Sequence, residues 1–267
     1  MKLSAPVYVL KSQAKDLKKA RKIPLSEALD EVAKKEGYAT WSLLISKHQN
    51  ELPNKFCEVL DFLNPGDLVL VAARPKQGKS IFAAGLVSMA SESGRPISHL
   101  FTVLEREQDS ERRIGVYTGS GKAKSDICII DSADDISADY IVSRVAKNIS
   151  PGALIVIDYL QLMDEKRINP PVQQQIETLV AFAKQSGCIF ILLAQVDPQI
   201  DGRVNQEPGL KDIRFPNPLD LNLFNKIIFL HRDRKDDSQI QVSLAGKNKH
   251  RFAVGLDKSR ACIVDVA

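Results

Sequence analysis

The chain has 267 residues, 44% of them hydrophobic, enough for one large domain with a buried core and one small domain. No apolar run reaches the roughly 18 residues of a membrane span, and Met1-Lys2-Leu3-Ser4-Ala5-Pro6 lacks the apolar stretch of a secretory signal. Cys57, Cys128, Cys188 and Cys262 form no Cys-x-x-Cys pair, so reduced thiols in a cytoplasmic protein are expected rather than a zinc or dithiol site. The net charge of +4 is uneven: residues 1–50 hold ten Lys or Arg and five Asp or Glu (10 − 5 = +5), leaving about −1 (4 − 5) for the remainder. A basic head on a near-neutral body suits nucleic acid, although a solvated helix face has the same composition.

In chain order, residues 1–50 read as a small three-helix unit. Leu10, Ala14 and Leu17 form one helical stripe, and Leu25, Ala28, Leu29, Val32 and Ala33 form a second. Pro24 suits the start of the second helix and Gly37 its C-terminal cap; Thr40 suits the cap of a third helix carrying Trp41 and Leu44. Lys11, Lys15, Lys18, Lys19, Arg21 and Lys22 crowd the first helix and its end. The polar stretch from His48 to Pro53 reads as a linker, which places a second domain at residues 54–267.

Short apolar runs then alternate with amphipathic stretches. Strands are expected at Leu68–Ala72, Ser98–Leu104, Ile127–Ile130, Ala153–Ile157, Cys188–Ala194, Ile227–Leu230 and Gln239–Leu244. Helices are expected at about Ser80–Ser93 and Val172–Gln185. This alternation predicts an α/β fold with a mostly parallel sheet covered on both faces, its last strands forming an antiparallel edge.

The strongest motif is Ala73-Arg74-Pro75-Lys76-Gln77-Gly78-Lys79-Ser80, a phosphate loop with Ala in place of the first Gly, between a strand and a helix. Its backbone N–H groups would wrap a β-phosphate, aided by the helix N-terminus, and Gly78 would allow close approach. Lys79 would bridge the β- and γ-phosphates of ATP, and the Ser80 hydroxyl would ligate Mg²⁺. Ala73 is tolerable there if its φ is negative. Leu154-Ile155-Val156-Ile157-Asp158 has the Walker B pattern, and Asp158 would hold the Mg²⁺ shell.

These parts define the RecA-like P-loop NTPase class. In that arrangement the strand ending at Leu104 is expected beside the phosphate-loop strand, with Glu105 as the general base and Glu107 as its rival. Gln195, at the end of another apolar strand, would sense the γ-phosphate.

At closer range the sequence resembles the C-terminal motor domain of DnaB-type replicative helicases. The likeness rests on Gly66-Asp67-Leu68-Val69-Leu70-Val71-Ala72-Ala73-Arg74-Pro75 with Gly78-Lys79-Ser80, and on Leu104-Glu105. It continues through Ile157-Asp158-Tyr159-Leu160-Gln161-Leu162-Met163, Leu193-Ala194-Gln195, Leu210-Lys211-Asp212-Ile213-Arg214, Phe229-Leu230-His231-Arg232 and Lys247-Asn248-Lys249, in motif order over about residues 60–255. The resemblance implies a homo-oligomeric ring, usually a hexamer, with ATP at subunit boundaries. In it Lys247 and Lys249 would reach the neighbour's ATP.

Three departures bear on function. Val196-Asp197-Pro198 follows Gln195 where a basic DNA contact is often found. Phe215-Pro216-Asn217-Pro218 replaces a Gly-containing DNA loop. Lys stands in place of the finger Arg, and it lacks the planar bidentate contact.

Two readings follow. The first is an ATP-driven motor on single-stranded DNA, with Arg203, Lys211, Arg214, Lys166 and Arg167 as backbone contacts and Phe215 as a stacking partner. The second is an assembly or regulatory ATPase resembling KaiC and RadA-like proteins, without unwinding. Residues 1–50 would recruit a partner or grip DNA through Lys11–Lys22.

Overall fold

A computed structural model describes residues 3–4, 7–48, 52–102, 128–132, 136–164, 169–203, 205–213, 215, 217–232, 238–245, 250–257 and 262–266. Two compact units divide the chain, residues 1–53 and 54–267.

The first unit holds α1 (Val7–Arg21), α2 (Leu25–Lys35) and α3 (Trp41–His48). Pro24 precedes α2 at the N-cap, where a missing N–H costs nothing. Gly37 has φ +85°, its N–H donates to Lys34 O, and the Tyr38 N–H donates to Ala33 O, a Schellman closure. Gly37 therefore sits one place beyond the cap residue, Glu36. Thr40 Oγ1 caps α3 by accepting from the Leu43 N–H at 3.2 Å. Leu10, Ala14, Ala28, Val32, Ala33 and Leu44 form this unit's core.

The second unit is built on a nine-stranded sheet, ordered β3-β2-β4-β5-β1-β6-β7-β8-β9 among the described residues. The strands are β1 (Leu68–Ala73), β2 (Ser98–Thr102), β3 (Cys128–Ser132), β4 (Leu154–Asp158), β5 (Ile189–Gln195), β6 (Lys226–His231), β7 (Gln239–Leu244), β8 (His250–Asp257) and β9 (Cys262–Asp265). Pairings from β3 through β6 are parallel, and β6 to β9 are antiparallel.

Alternate residues of the central strands serve opposite faces. Val69, Val71, Val156, Ile191 and Leu193 pack with α4 (Phe56–Phe62) and α5 (Lys79–Glu92). Leu68, Leu70, Ile155, Ile157, Phe190 and Leu192 pack with α6 (Ala138–Val145) and α7 (Val172–Ser186). Burial on both faces explains why these strands read as continuous apolar runs.

One expectation is corrected. β2 does not lie beside β1, whose neighbours are β5 and β6; β4 and β5 stand between the two. The wholly apolar β4 and β5 take the central places, where both faces and both edges are covered. β2, with Ser98 and His99, lies further out against β3 and β4. No helix among the described residues is long and apolar enough to cross a membrane.

Candidate functional site

Parallel strands carry their C-terminal ends to one edge of the sheet, where the crevice of an open α/β fold forms. Register places the predicted residues there. Ala73 pairs with Gln195, and Asp158 pairs with both Thr102 and Leu193. Four strand ends thus meet at the loop that follows β1.

That loop turns on two left-handed residues, Lys76 at φ +61° and Gly78 at φ +97°. Such alternation is the backbone pattern from which anion-binding concavities are made. A Cβ at Gly78 would stand 2.7 Å from Ile240 Cδ1, so both conformation and space demand glycine. Ala73 is not among the positive-φ residues, so the missing first Gly costs no strain.

Lys79 opens α5 and is buried. Its ammonium donates to Ala73 O and Arg74 O, each at 3.0 Å. Burial pushes the Lys79 pKa down to about 8, and the Asp158 charge offsets part of that shift. Ser80 Oγ donates to Asp158 Oδ2 at 2.7 Å, joining α5 to the end of β4. Among the described residues no group of three His, Cys, Asp or Glu side chains could cage a metal. One hydroxyl and one carboxylate suit a cation that keeps several waters and takes phosphate oxygens, as Mg²⁺ does.

Several polar contacts were not singled out from sequence. Gln161, three residues past Asp158, clasps the end of β5: its Nε2 donates to Gln195 O at 3.0 Å, and its Oε1 accepts from the Gln195 N–H at 3.3 Å. A lone amide within the apolar run Leu160-Gln161-Leu162-Met163 was the available signal. Gln77 Oε1 accepts from the Arg232 N–H, and the Arg232 guanidinium donates to Lys76 O at 3.4 Å.

Arg74 is buried, and its guanidinium is directed inward. It pairs with Asp201, donates to Gln206 Oε1 at 3.4 Å, and approaches His231 Nδ1 and the Arg232 carbonyl, each at 3.5 Å. The phosphate loop is therefore fastened to the end of β6 and to segment 197–213. Asp212 closes that segment: it accepts from the Gly209 N–H at 2.9 Å and pairs with Arg203 at 2.7 Å, while the Asp197 N–H donates to its carbonyl at 2.8 Å. Arg203 thus has a partner within the segment, whereas Lys211 is exposed. Glu105, Glu107, Lys166, Arg167, Arg214, Lys247 and Lys249 lie outside the described residues.

The strand order and the phosphate loop beside a Walker B carboxylate define a RecA-like P-loop domain. A family profile, DnaB-like helicase C terminal domain, matches residues 116–265. The chain belongs to that family. It is 26% identical over 227 residues to Replicative DNA helicase DnaB of Pasteurella multocida, covering 70% of this chain and 48% of that protein. It is 25% identical over 248 residues to a probable plasmid replicative DNA helicase of Chlamydia trachomatis, covering 81% and 54%. The chain spans about half the length of these curated relatives.

Among solved structures, an isolated ATPase domain superposes with a TM-score of 0.70 at 22% identity, covering 91% of this chain and 99% of that one. A DnaB-like replicative helicase gives 0.67 at 19% identity, covering 97% of this chain and 76% of that one. The KaiC-like protein PH0186 from Pyrococcus horikoshii gives 0.55 at 15% identity, covering 76% of this chain and 90% of that one. These structural likenesses concern the fold.

Proposed function

We propose that residues 54–267 form an ATP-hydrolysing motor of the DnaB-like class that acts on single-stranded DNA as a homo-oligomeric ring, a hexamer by family likeness. The observation that carries this reading is the Ser80–Asp158 hydrogen bond beside the buried Lys79 ammonium. It pairs a hydroxyl and a carboxylate at the head of a phosphate loop, next to a cation whose hydrogen bonds among the described residues go to backbone carbonyls.

In this scheme the backbone of residues 73–78 and Lys79 hold the triphosphate of ATP. Ser80 and Asp158 hold Mg²⁺, which supplies charge neutralisation at the phosphates. Glu105, with Glu107 as rival, takes the proton of the attacking water, and Gln195 reads the γ-phosphate. Lys247 and Lys249 complete a neighbour's site. Lys211, Arg203, Arg214, Lys166 and Arg167 contact the DNA backbone, with Phe215 against a base.

A switch without unwinding is the competing reading, favoured by the Arg203–Asp212 pair and by Val196-Asp197-Pro198 following Gln195. ATPase rate with and without single-stranded DNA, followed by strand separation, discriminates the two. DNA-stimulated turnover that is lost in Glu105→Gln with ATP binding retained supports the motor. Hydrolysis indifferent to DNA, with no DNA binding, supports the switch.

A further inference from the structure

The first unit carries a charged face that the ATPase scheme does not use. Lys11, Lys15, Lys18 and Lys19 are all exposed on α1. At 3.6 residues per turn they fall within an arc of about 100° and span about 12 Å along the axis. The arc lies beside the stripe of Leu10 and Ala14, which enters the unit's core. None of the four lysines forms an ion pair or hydrogen bond among the described residues.

Three of the unit's acids are already engaged. Asp30 accepts from the Trp41 N–H at 2.8 Å, Glu31 pairs with Arg21 at 2.9 Å, and Glu36 accepts from the Ser4 N–H at 2.7 Å. Asp16, the one acid of α1, lies about 60° beyond Lys19 around the helix.

Helix energetics account for only part of this pattern. Lys18, Lys19 and Arg21 in the last turn complement the helix dipole. Lys11 and Lys15 lie nearer the start, where a cation gains nothing from it. The pairs Lys11–Lys15 and Lys15–Lys19 are like charges at i, i+4, each unfavourable by about 0.2–0.5 kcal/mol. A polyanion laid along the face would relieve that repulsion.

The shape of the face selects the polyanion. Single strands are held in concave basic grooves. A single exposed helix is convex and about 10–12 Å wide, the width of the duplex major groove, which is flanked by phosphates on both sides. We propose that the lysine face of α1 is a duplex-DNA backbone contact, separate from the single-strand contacts assigned to the ATPase unit. The assignment stands on the first unit alone and does not require hydrolysis.

The test uses the full chain without nucleotide, a short blunt duplex and fluorescence anisotropy. Lys11→Gln, Lys15→Gln, Lys18→Gln and Lys19→Gln are combined in one variant, and the same four positions are changed to Arg in another. The Gln variant should weaken duplex binding at least tenfold at low salt. Its slope of log affinity against log salt should flatten by about 0.9 per lysine. The Arg variant should bind the duplex like the parent, and Mg-ATP and single-strand affinities should hold in both. Unchanged duplex affinity and slope in the Gln variant overturn the proposal. So does an equal loss for single strands, or parent protein that binds anionic phosphatidylserine vesicles but not duplex. Loss of ATP binding in Lys79→Ala with duplex binding intact would bear on the motor reading alone.

Discussion

Replacing Lys79 by Met should stabilise the nucleotide-free protein while abolishing nucleotide binding. Burial holds the Lys79 ammonium at about 8, against 10.5 for a free side chain. At 1.36 kcal/mol per pKa unit, a protonated Lys79 costs the fold about 3 kcal/mol. Met keeps most of the apolar length and removes the charge. It also removes two hydrogen bonds, but Ala73 O keeps the Val196 N–H at 3.2 Å, so the main loss is at Arg74 O, about 1–2 kcal/mol. The net gain is about 1–2 kcal/mol, a few degrees in melting temperature for a unit of this size.

The sign with pH follows from linkage. Between about pH 8 and 10.5 the unfolded chain binds the Lys79 proton and the folded chain does not. Parent stability therefore rises through that window, and the Met variant's advantage shrinks across it. Mg-ATP affinity of the parent should be flat below pH 8 and fall above it, with proton uptake on binding. Denaturant titrations at pH 7 and pH 10 without nucleotide, and calorimetry with Mg-ATP across the same range, measure these quantities. A variant less stable than the parent at pH 7, or a stability difference independent of pH, refutes the reasoning.

Arg74→Leu should leave Mg-ATP affinity within about fivefold and cost about 1–3 kcal/mol, because Asp201 can turn to solvent when its partner is lost. Stimulation of hydrolysis by single-stranded DNA should disappear, since the phosphate loop and segment 197–213 no longer share a guanidinium; preserved stimulation in a steady-state assay contradicts this. Arg74→Lys should not restore it, for an ammonium cannot serve the same spread of acceptors. Gln161→Leu removes both hydrogen bonds to the Gln195 backbone. It should lower kcat about tenfold with nucleotide affinity unchanged, a loss of about 1.4 kcal/mol in transition-state stabilisation; an unchanged kcat would show that the clasp is structural only.

What sequence reading reached depended on how local the signal was. β1, β4 and β5 are apolar runs because both of their faces are buried, and each was placed within a residue or two. β8 was missed: in His250–Asp257 only Phe252 and Val254 are buried, and solvent-facing Arg251 breaks the run. α4 and α6, of seven and eight residues, are too short for helical periodicity to stand out. Strand order is a property of pairings remote in sequence, and so β2 was expected beside the wrong neighbour.

The same distinction divides the site. Ala73 through Ser80 is one contiguous stretch whose chemistry is carried by its backbone and two side chains, so its spacing alone identified it. The Ser80–Asp158 contact was inferable because each residue sits in its own recognisable pattern, 78 positions apart. Arg74 shows where that logic ends. Its place in the motif associates it with phosphate, yet its guanidinium serves Asp201, Gln206, His231 and Arg232, between 127 and 158 residues away and outside any motif that names Arg74. A buried guanidinium must satisfy donors fanned in a plane, and acceptors on two separate segments can do so only if both segments come to the loop. The identity of residue 74 is thus constrained by parts of the chain that must lie beside the nucleotide, which gives a physical reason for Arg inside a loop that needs no side chain there to hold phosphate.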